Sequence, residues 1–188
     1  MVQPPRLGEG ALVLMAGNFD VDVKFTASAG LLDRLATLPD KLQKKGAVRA
    51  SRAAMKVALN AARAAARALD DPDTPERIWK NLAVQNSPRQ GRRVGGVVMR
   101  LDVRGGARQY ADTRENRRKG RVGHSHATGG DKGNPGGDTW YWRFLELGTR
   151  GIDPKPFLIP ALEDNAGAIE TLLADSLERE IQLLTPKA

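Results

Sequence analysis

The sequence predicts an α+β fold in which a small, mostly antiparallel sheet is covered by two main helices. Apolar and polar residues alternate over 20–25 and again over 97–103, and such alternation is typical of half-buried strands. Apolar residues recur at helical spacing over 41–69 and over 161–184, which predicts two long helices. The order of strand, helices, strands, a long loop, a short aromatic element and a final helix favours the α+β class.

The N-terminal residues 1–20 are expected to form a poorly determined lead, with a short strand over 11–15. Met15 is a second candidate for the native start, which would place residues 1–14 outside the protein. A chain of 188 residues suffices for one domain with a real core, so we expect a single domain over 21–188. In its first strand, the side chains sharing one face would be those of Val21, Val23 and Phe25.

The first predicted helix, over 41–69, is rich in Ala, Lys and Arg. Asp40 is its expected N-cap, and Gly46 is where we expect an interruption or bend. A basic amphipathic helix can also lie on a membrane, but this apolar face is mostly alanine and offers little to insert. Farther along, we expect Thr74 to cap a short helix, residues 82–85 to form a strand, and the strand over 97–103 to bury alternate side chains, those of Val97, Met99, Leu101 and Val103.

The C-terminal helix predicted over 161–184 is acidic, unlike the basic helix over 41–69. From Glu163 to Glu180 the sequence has six Asp or Glu against one Arg. Opposite charges flanking an apolar seam favour side-by-side packing of the two helices. We therefore expect them to be neighbours in the fold.

The excess positive charge of the chain lies in one segment. Ser87 to Lys132 contains twelve Arg or Lys against four Asp or Glu, whereas the remaining residues balance at eighteen each, so this segment carries the whole net charge of +8. Within it, residues 104–138 form a long, irregular, glycine-rich basic loop. We expect the loop to contact DNA or an acidic partner. The alternative is a solvated loop that binds nothing and only keeps the protein soluble. The candidate contacts are Arg108, Arg114, Arg117, Arg118, Lys119 and Arg121.

Catalytic and metal chemistry finds little support in the sequence. There is no cysteine, and His124 with His126 makes an incomplete metal set. The glycine-rich 129–133 lacks the Gly-Lys-Ser/Thr ending of a phosphate loop, and no nucleophile elbow occurs. We predict no catalytic, cofactor-binding or metal-binding residue and no enzymatic activity. No helix-turn-helix or zinc-finger spacing occurs, so any DNA contact would be to phosphates. No apolar run is long enough to span a bilayer.

The stretch from Trp140 to Glu163 concentrates the large side chains. It holds three of the five Trp and Tyr residues and two of the four Phe. Gly148 follows an apolar run and suits a left-handed turn, while Pro160 suits the first turn of a helix. Glu146 lies in an otherwise apolar run, and we expect it to pair with an Arg or to cap a backbone group, in preference to acting as a general acid.

This stretch resembles the tail-completion family of lambda-like long-tailed phages, also described as head–tail joining, neck or minor tail proteins. The matching residues are Phe144, Leu145, Glu146, Gly148 and Thr149, followed by Pro156, Phe157, Pro160, Ala161 and Leu162. Lys155 stands where an Arg is expected, and Leu147 where an aromatic residue is expected. Charge and apolar bulk are nevertheless kept.

The resemblance implies a structural virion protein that forms a hexameric ring between the head connector and the tail tube or tail terminator. It would lie in the neck of the virion, after assembly in the host cytoplasm, and would contact no membrane. The implied subunit and partner contacts are Trp140, Trp142, Phe144, Glu146, Gly148, Thr149, Pro156, Phe157 and Pro160. A stand-alone nucleic-acid-binding protein without sequence specificity is the first alternative, and a tail terminator is the second.

Overall fold

The fold is described from a computed structural model of the chain. The structure describes residues 11–16, 19–26, 30, 33–34, 37–104, 110, 112–124, 135–137 and 139–185, with the backbone alone over 11–26. The described residues belong to two compact units. The first unit is drawn from Met1–Leu59, Val84–Leu101 and Ile159–Ala188, and the second from Asn60–Ala83 and Asp102–Leu158. The single domain expected over 21–188 stays a prediction.

The described strands form one sheet in the order β2-β1-β4-β3. The strands are β1 (Ala11–Ala16), β2 (Phe19–Thr26), β3 (Leu82–Asn86) and β4 (Val97–Val103). β1 pairs antiparallel with β2, with a register shift between Leu14 and Ala16, and parallel with β4. The amide of Ser87 donates to the carbonyl of Val98, and that of Arg104 to Asn81, so β3 and β4 run antiparallel. The sheet is therefore mostly antiparallel, as predicted.

The strands predicted from the sequence are present, and β1 is a full member of the sheet. The strands expected over 11–15, 20–25, 82–85 and 97–103 are all present. β1 lies inside the sheet between β2 and β4, although the sequence assigned it to the N-terminal lead. In β4 the side chains of Met99, Leu101 and Val103 are buried as expected, but Val98 is buried as well and Val97 only half-buried. The side chains of Val21, Val23 and Phe25 lie outside the described part of the structure.

The basic helix predicted over 41–69 consists of α1 (Asp40–Ala54) and α2 (Lys56–Leu69). The interruption lies at Met55, not at Gly46 as predicted. Gly46 is buried inside α1 because the C-terminal helix passes close to it: an added Cβ would lie 3.2 Å from Cδ1 of Leu184. Asp40 is the first helical residue and Pro39 the N-cap, so the expected Asp40 cap is also wrong.

The acidic helix predicted over 161–184 is divided at Asp164 and Asn165 into α7 (Ile159–Glu163) and α8 (Ala166–Leu184). The side-chain amide of Asn165 donates to the carbonyl of Ala161 at 3.0 Å and so bridges the break. Pro160 lies in the first turn of α7, where its missing N–H costs nothing. The predicted apolar stripe is confirmed in α8 by four buried residues, Ile169, Leu173, Leu177 and Ile181.

The predicted neighbourhood of the basic and acidic helices is confirmed, since α1 packs against α8. Arg49 lies 3.5 Å from Glu180, and Arg34 lies 2.7 Å from Glu178. The hydrogen bond from Arg34, helped by one from Gln182, lowers the pKa of the Glu178 carboxyl below its usual value. The Arg49–Glu180 pair joins α1 to α8, whereas Arg34 precedes α1. Surface ion pairs contribute little to stability, so the buried apolar stripe supplies most of the stabilisation.

In the second unit, Asn81 at the end of α3 (Ile78–Asn81) ties together segments distant in sequence. Its buried side chain accepts from the amide of Gly136 at 2.6 Å and donates to the carbonyl of Gly137 at 3.0 Å and to Oγ1 of Thr139 at 2.8 Å. These bonds fix the chain just before the aromatic stretch. Thr74 does not cap this helix as expected, because α3 begins only at Ile78, whose amide donates to Oδ1 of Asp70 at 2.9 Å.

Within the described ranges, no helix is both long and apolar enough to cross a membrane.

Candidate interaction site

The aromatic helix α6 (Trp142–Leu147) ends at a turn that requires glycine. Gly148 has a φ of +72°, and an added Cβ would lie 2.8 Å from the carbonyl oxygen of Ile152 and 3.0 Å from Pro154. Paired hydrogen bonds between Thr149 and Ile152, 2.9 and 3.2 Å long, close the turn. The glycine signal in the sequence is thereby explained by both backbone conformation and close packing.

A buried carboxylate joins α6 to the segment that follows this turn. Glu146 is only 2% exposed, and its Oε2 accepts the amide N–H of Phe157 at 2.8 Å and of Leu158 at 3.0 Å. The amide of Lys155 donates to the carbonyl of Leu145 at 2.6 Å. The expectation that Glu146 caps a backbone group is confirmed. We call this set of contacts the Glu146 clasp.

The predicted interface residues divide into buried and exposed groups. Trp142 and Phe157 are buried with Glu146, because folding removes their large apolar surfaces from water. Such side chains offer nothing to a partner directly and instead hold the surface in shape. Gly148 and Pro160 are half-buried. The exposed members of the predicted set are Trp140, Phe144, Thr149 and Pro156.

We call the exposed large apolar side chains of α6, the residues just before it and the turn after it the aromatic patch: Trp140, Phe144, Leu147 and Ile152. Their exposed fractions are 41%, 42%, 52% and 48% in that order. The rings of Trp140 and Phe144 meet edge to face, with centroids 5.6 Å apart. Groups of large apolar side chains exposed on a protein surface are unusual and mark interaction sites.

Leu147 and Ile152 were missed by the sequence analysis. Leu147 follows Phe144 by three residues, and Phe144 follows Trp140 by four, so helical spacing offered a signal for Leu147. Ile152 had no such signal. Its place depends on the turn after Gly148, whose pairing with Thr149 only the structure shows.

The basic loop of the sequence contains a short helix, α5 (Arg114–Arg118). Oγ1 of Thr113 accepts the amide of Asn116 and caps it. Arg117 forms an ion pair with Asp112, whose pKa is lowered by this hydrogen bond, and Lys119 pairs with Glu115 at 2.5 Å. Two of the predicted basic contacts are thus partly neutralised by acidic residues four or five positions earlier in the sequence.

The other predicted basic residues differ in their surroundings. The guanidinium of Arg121 lies 5.2 Å from the ring centre of Tyr110. Arg114 and Arg118 are exposed, and neither side chain has an ion pair within the described residues. Arg108 lies outside the described residues, as do His126 and the glycine-rich 129–133, while His124 is exposed.

The site can bind by burying apolar surface, with the Glu146 clasp as its rigid support. In the part of the chain that is described, no group of three His, Cys, Asp or Glu residues is placed to hold a metal ion. A search of known proteins found nothing similar: no family model, no curated protein and no solved structure matches the chain.

Proposed function

We propose that the chain is a structural virion protein of a tailed phage that completes the tail and joins it to the head. Copies of the chain would form a hexameric ring between the head connector and the tail tube. The proposal combines the resemblance of residues 144–162 to tail-completion proteins with one structural observation. That observation is the aromatic patch, displayed on α6 and its turn above the Glu146 clasp.

The patch has the physical properties of a subunit contact. Each aromatic side chain can bury about 150–250 Å² on association, and Trp is among the residues that dominate binding energy. The clasp and the turn at Gly148 fix the backbone beneath the patch before any partner arrives. The segment therefore loses little further conformational freedom on binding, so more of the free energy of apolar burial becomes affinity.

A ring follows when each copy uses the patch against a different surface of its neighbour. Such head-to-tail contacts leave no open edge once the rotation closes. The assembled ring would be part of the virion neck, and its subunits would come from the host cytoplasm during assembly. The head connector on one side and the tail tube or terminator on the other are the proposed partners.

We expect Leu147→Asp to disrupt self-association without unfolding the chain. Leu147 is 52% exposed, so a carboxylate is solvated in the free subunit but would be buried unpaired in a contact. Association should weaken about tenfold or more, which corresponds to at least about 1.4 kcal/mol. Light scattering on the purified protein measures the mass of the oligomer directly, and each added chain raises that mass by 20.4 kDa.

Leu183→Asp is the matched control, because Leu183 is also near the end of a helix and is 76% exposed, outside the patch. Its oligomer should match that of the unmodified protein, and circular dichroism should show both variants folded. Equal disruption by the two substitutions, or an unmodified protein that stays monomeric at every concentration, would count against the patch as a subunit contact.

A stand-alone nucleic-acid-binding protein is the second candidate. Arg114 and Arg118 of α5 support it, because they are exposed and have no ion pair among the described residues, and guanidinium groups bind phosphates bidentately. A protein of this kind would bind duplex DNA as a monomer, whereas a ring component would assemble without DNA. A tail terminator is the remaining alternative within the structural class and would share the ring and its subunit contacts.

A further inference from the structure

A second basic surface lies on the short helix α4 (Pro88–Val94), which connects β3 to β4. Arg89, Arg92 and Arg93 occupy positions i, i+3 and i+4 of this helix and therefore share one face. All three are exposed. Within the described part of the chain, none of the three side chains has an ion pair or a hydrogen bond. We call these three residues the arginine face.

The arginine face lies on the β3–β4 connection, whose backbone is held by hydrogen bonds and close packing. The amide of Ser87 donates to the carbonyl of Val98 at 2.8 Å, and that of Gly96 to Gly91 at 3.0 Å. Gly91 is buried so tightly that an added Cβ would lie 2.6 Å from the carbonyl oxygen of Gly96. Gly95, with a φ of +69°, makes the sharp turn into β4 possible. The three arginines thus project from a backbone whose course is fixed before any ligand binds.

The charge of this face is also undiluted. From Leu82 to Leu101 the sequence contains four Arg and no Asp or Glu. In α5 and just after it, by contrast, Arg117 and Lys119 each have an acidic partner close in sequence. Pairing reduces the electrostatic potential that a charged ligand meets, so the arginine face presents all three of its charges without neutralisation by an acidic neighbour in the sequence.

We propose that the arginine face binds the phosphate backbone of duplex nucleic acid without reading its sequence. Three guanidinium groups on side chains whose Cβ atoms are about 5–6 Å apart can each contact a phosphate, and the planar fork of Arg suits bidentate contact. This inference does not depend on the joining role, and it assigns the main phosphate contact to residues outside the basic loop.

The composition of the helix selects this partner over two others. Among described residues, the exposed large apolar side chains all lie outside α4, so the face lacks the anchor that protein interfaces need. No aromatic residue lies on α4 either, so bases of a single strand would find no stacking surface. Duplex phosphates require neither feature.

The test is fluorescence anisotropy of a labelled duplex of about 20 base pairs, titrated with the protein between about 50 and 200 mM salt. In the triple variant Arg89→Gln, Arg92→Gln and Arg93→Gln, the slope of log K against log salt should fall by roughly 2.7, about 0.9 for each lost phosphate contact. Binding at low salt should weaken at least tenfold. A triple Arg→Lys variant keeps the three charges, so its slope should match that of the unmodified protein.

The matched control removes the same number of charges from α5 through Arg114→Gln, Arg117→Gln and Arg118→Gln, and its slope should fall by about 1 or less. All variants must retain the circular dichroism spectrum of the unmodified protein. An unchanged slope in the α4 variant overturns the proposal. Equal losses in the α4 and α5 variants overturn it too, because binding would then follow total charge. Displacement of the duplex by polyglutamate as readily as by unlabelled duplex would identify an acidic protein as the partner instead.

Discussion

We expect Phe157→Ala to lower the free energy of unfolding by about 3–5 kcal/mol, the range typical of truncating a fully buried Phe. The side chain is 0% exposed and follows Pro156 directly in the segment held by the Glu146 clasp. Truncation removes the ring from the interior and leaves a cavity that the fixed backbone cannot close. Urea unfolding followed by circular dichroism measures the loss.

Phe144→Ala is the control for this substitution. Phe144 belongs to the aromatic patch and is 42% exposed, so its truncation should cost less than about 1 kcal/mol of stability. The two phenylalanines therefore separate folding from binding. Comparable losses from both substitutions would mean that the patch is part of the core and would remove the basis for treating it as an interface.

Glu146→Ala should destabilise the protein by about 3 kcal/mol. The substitution leaves the buried amides of Phe157 and Leu158 without the carboxylate that accepts them, and each unsatisfied buried group costs about 1–3 kcal/mol. Glu146→Gln keeps one acceptor oxygen, so we expect roughly half of that loss. Denaturant unfolding of the three proteins, compared at one temperature, gives both values.

Glu163→Ala provides the comparison, because Glu163 is exposed at the end of α7 and its removal should change stability by no more than about 0.5 kcal/mol. If Glu146→Ala were as mild as Glu163→Ala, the clasp would not be what holds the segment after Gly148. The preorganisation of the aromatic patch would then need another source.

The sequence predicted the fold wherever an element carries its own periodicity. The alternation over 97–103 and the helical stripe of α8 identified these elements. The predictions were wrong where tertiary contacts determine the position at which a helix is interrupted. Gly46 suggested a break by its intrinsic propensity, but the structure places it inside α1, where an added Cβ would lie 3.2 Å from Cδ1 of Leu184 and would require that side chain to shift. The division of the C-terminal helix at Asn165 likewise had no strong local signal.

The candidate site was predictable in location and not in detail. The aromatic and proline pattern located it within 140–163, but residue type does not reveal that Trp140 faces solvent while Trp142, two positions later, is buried. That difference depends on where α6 packs. The arginine face was hidden for a similar reason: its residues were counted in the basic segment, but only the structure shows that they lie exposed on one face of a helix.

The most direct test of the proposed joining role deletes the gene for this chain from a tailed phage that encodes it and counts joined particles in the lysate by electron microscopy. We expect complete heads beside separate tails of normal length, and joined particles on addition of the purified protein but not of Leu147→Asp. Joined, infectious particles without the protein would contradict the account. Tails of abnormal length would identify a terminator instead.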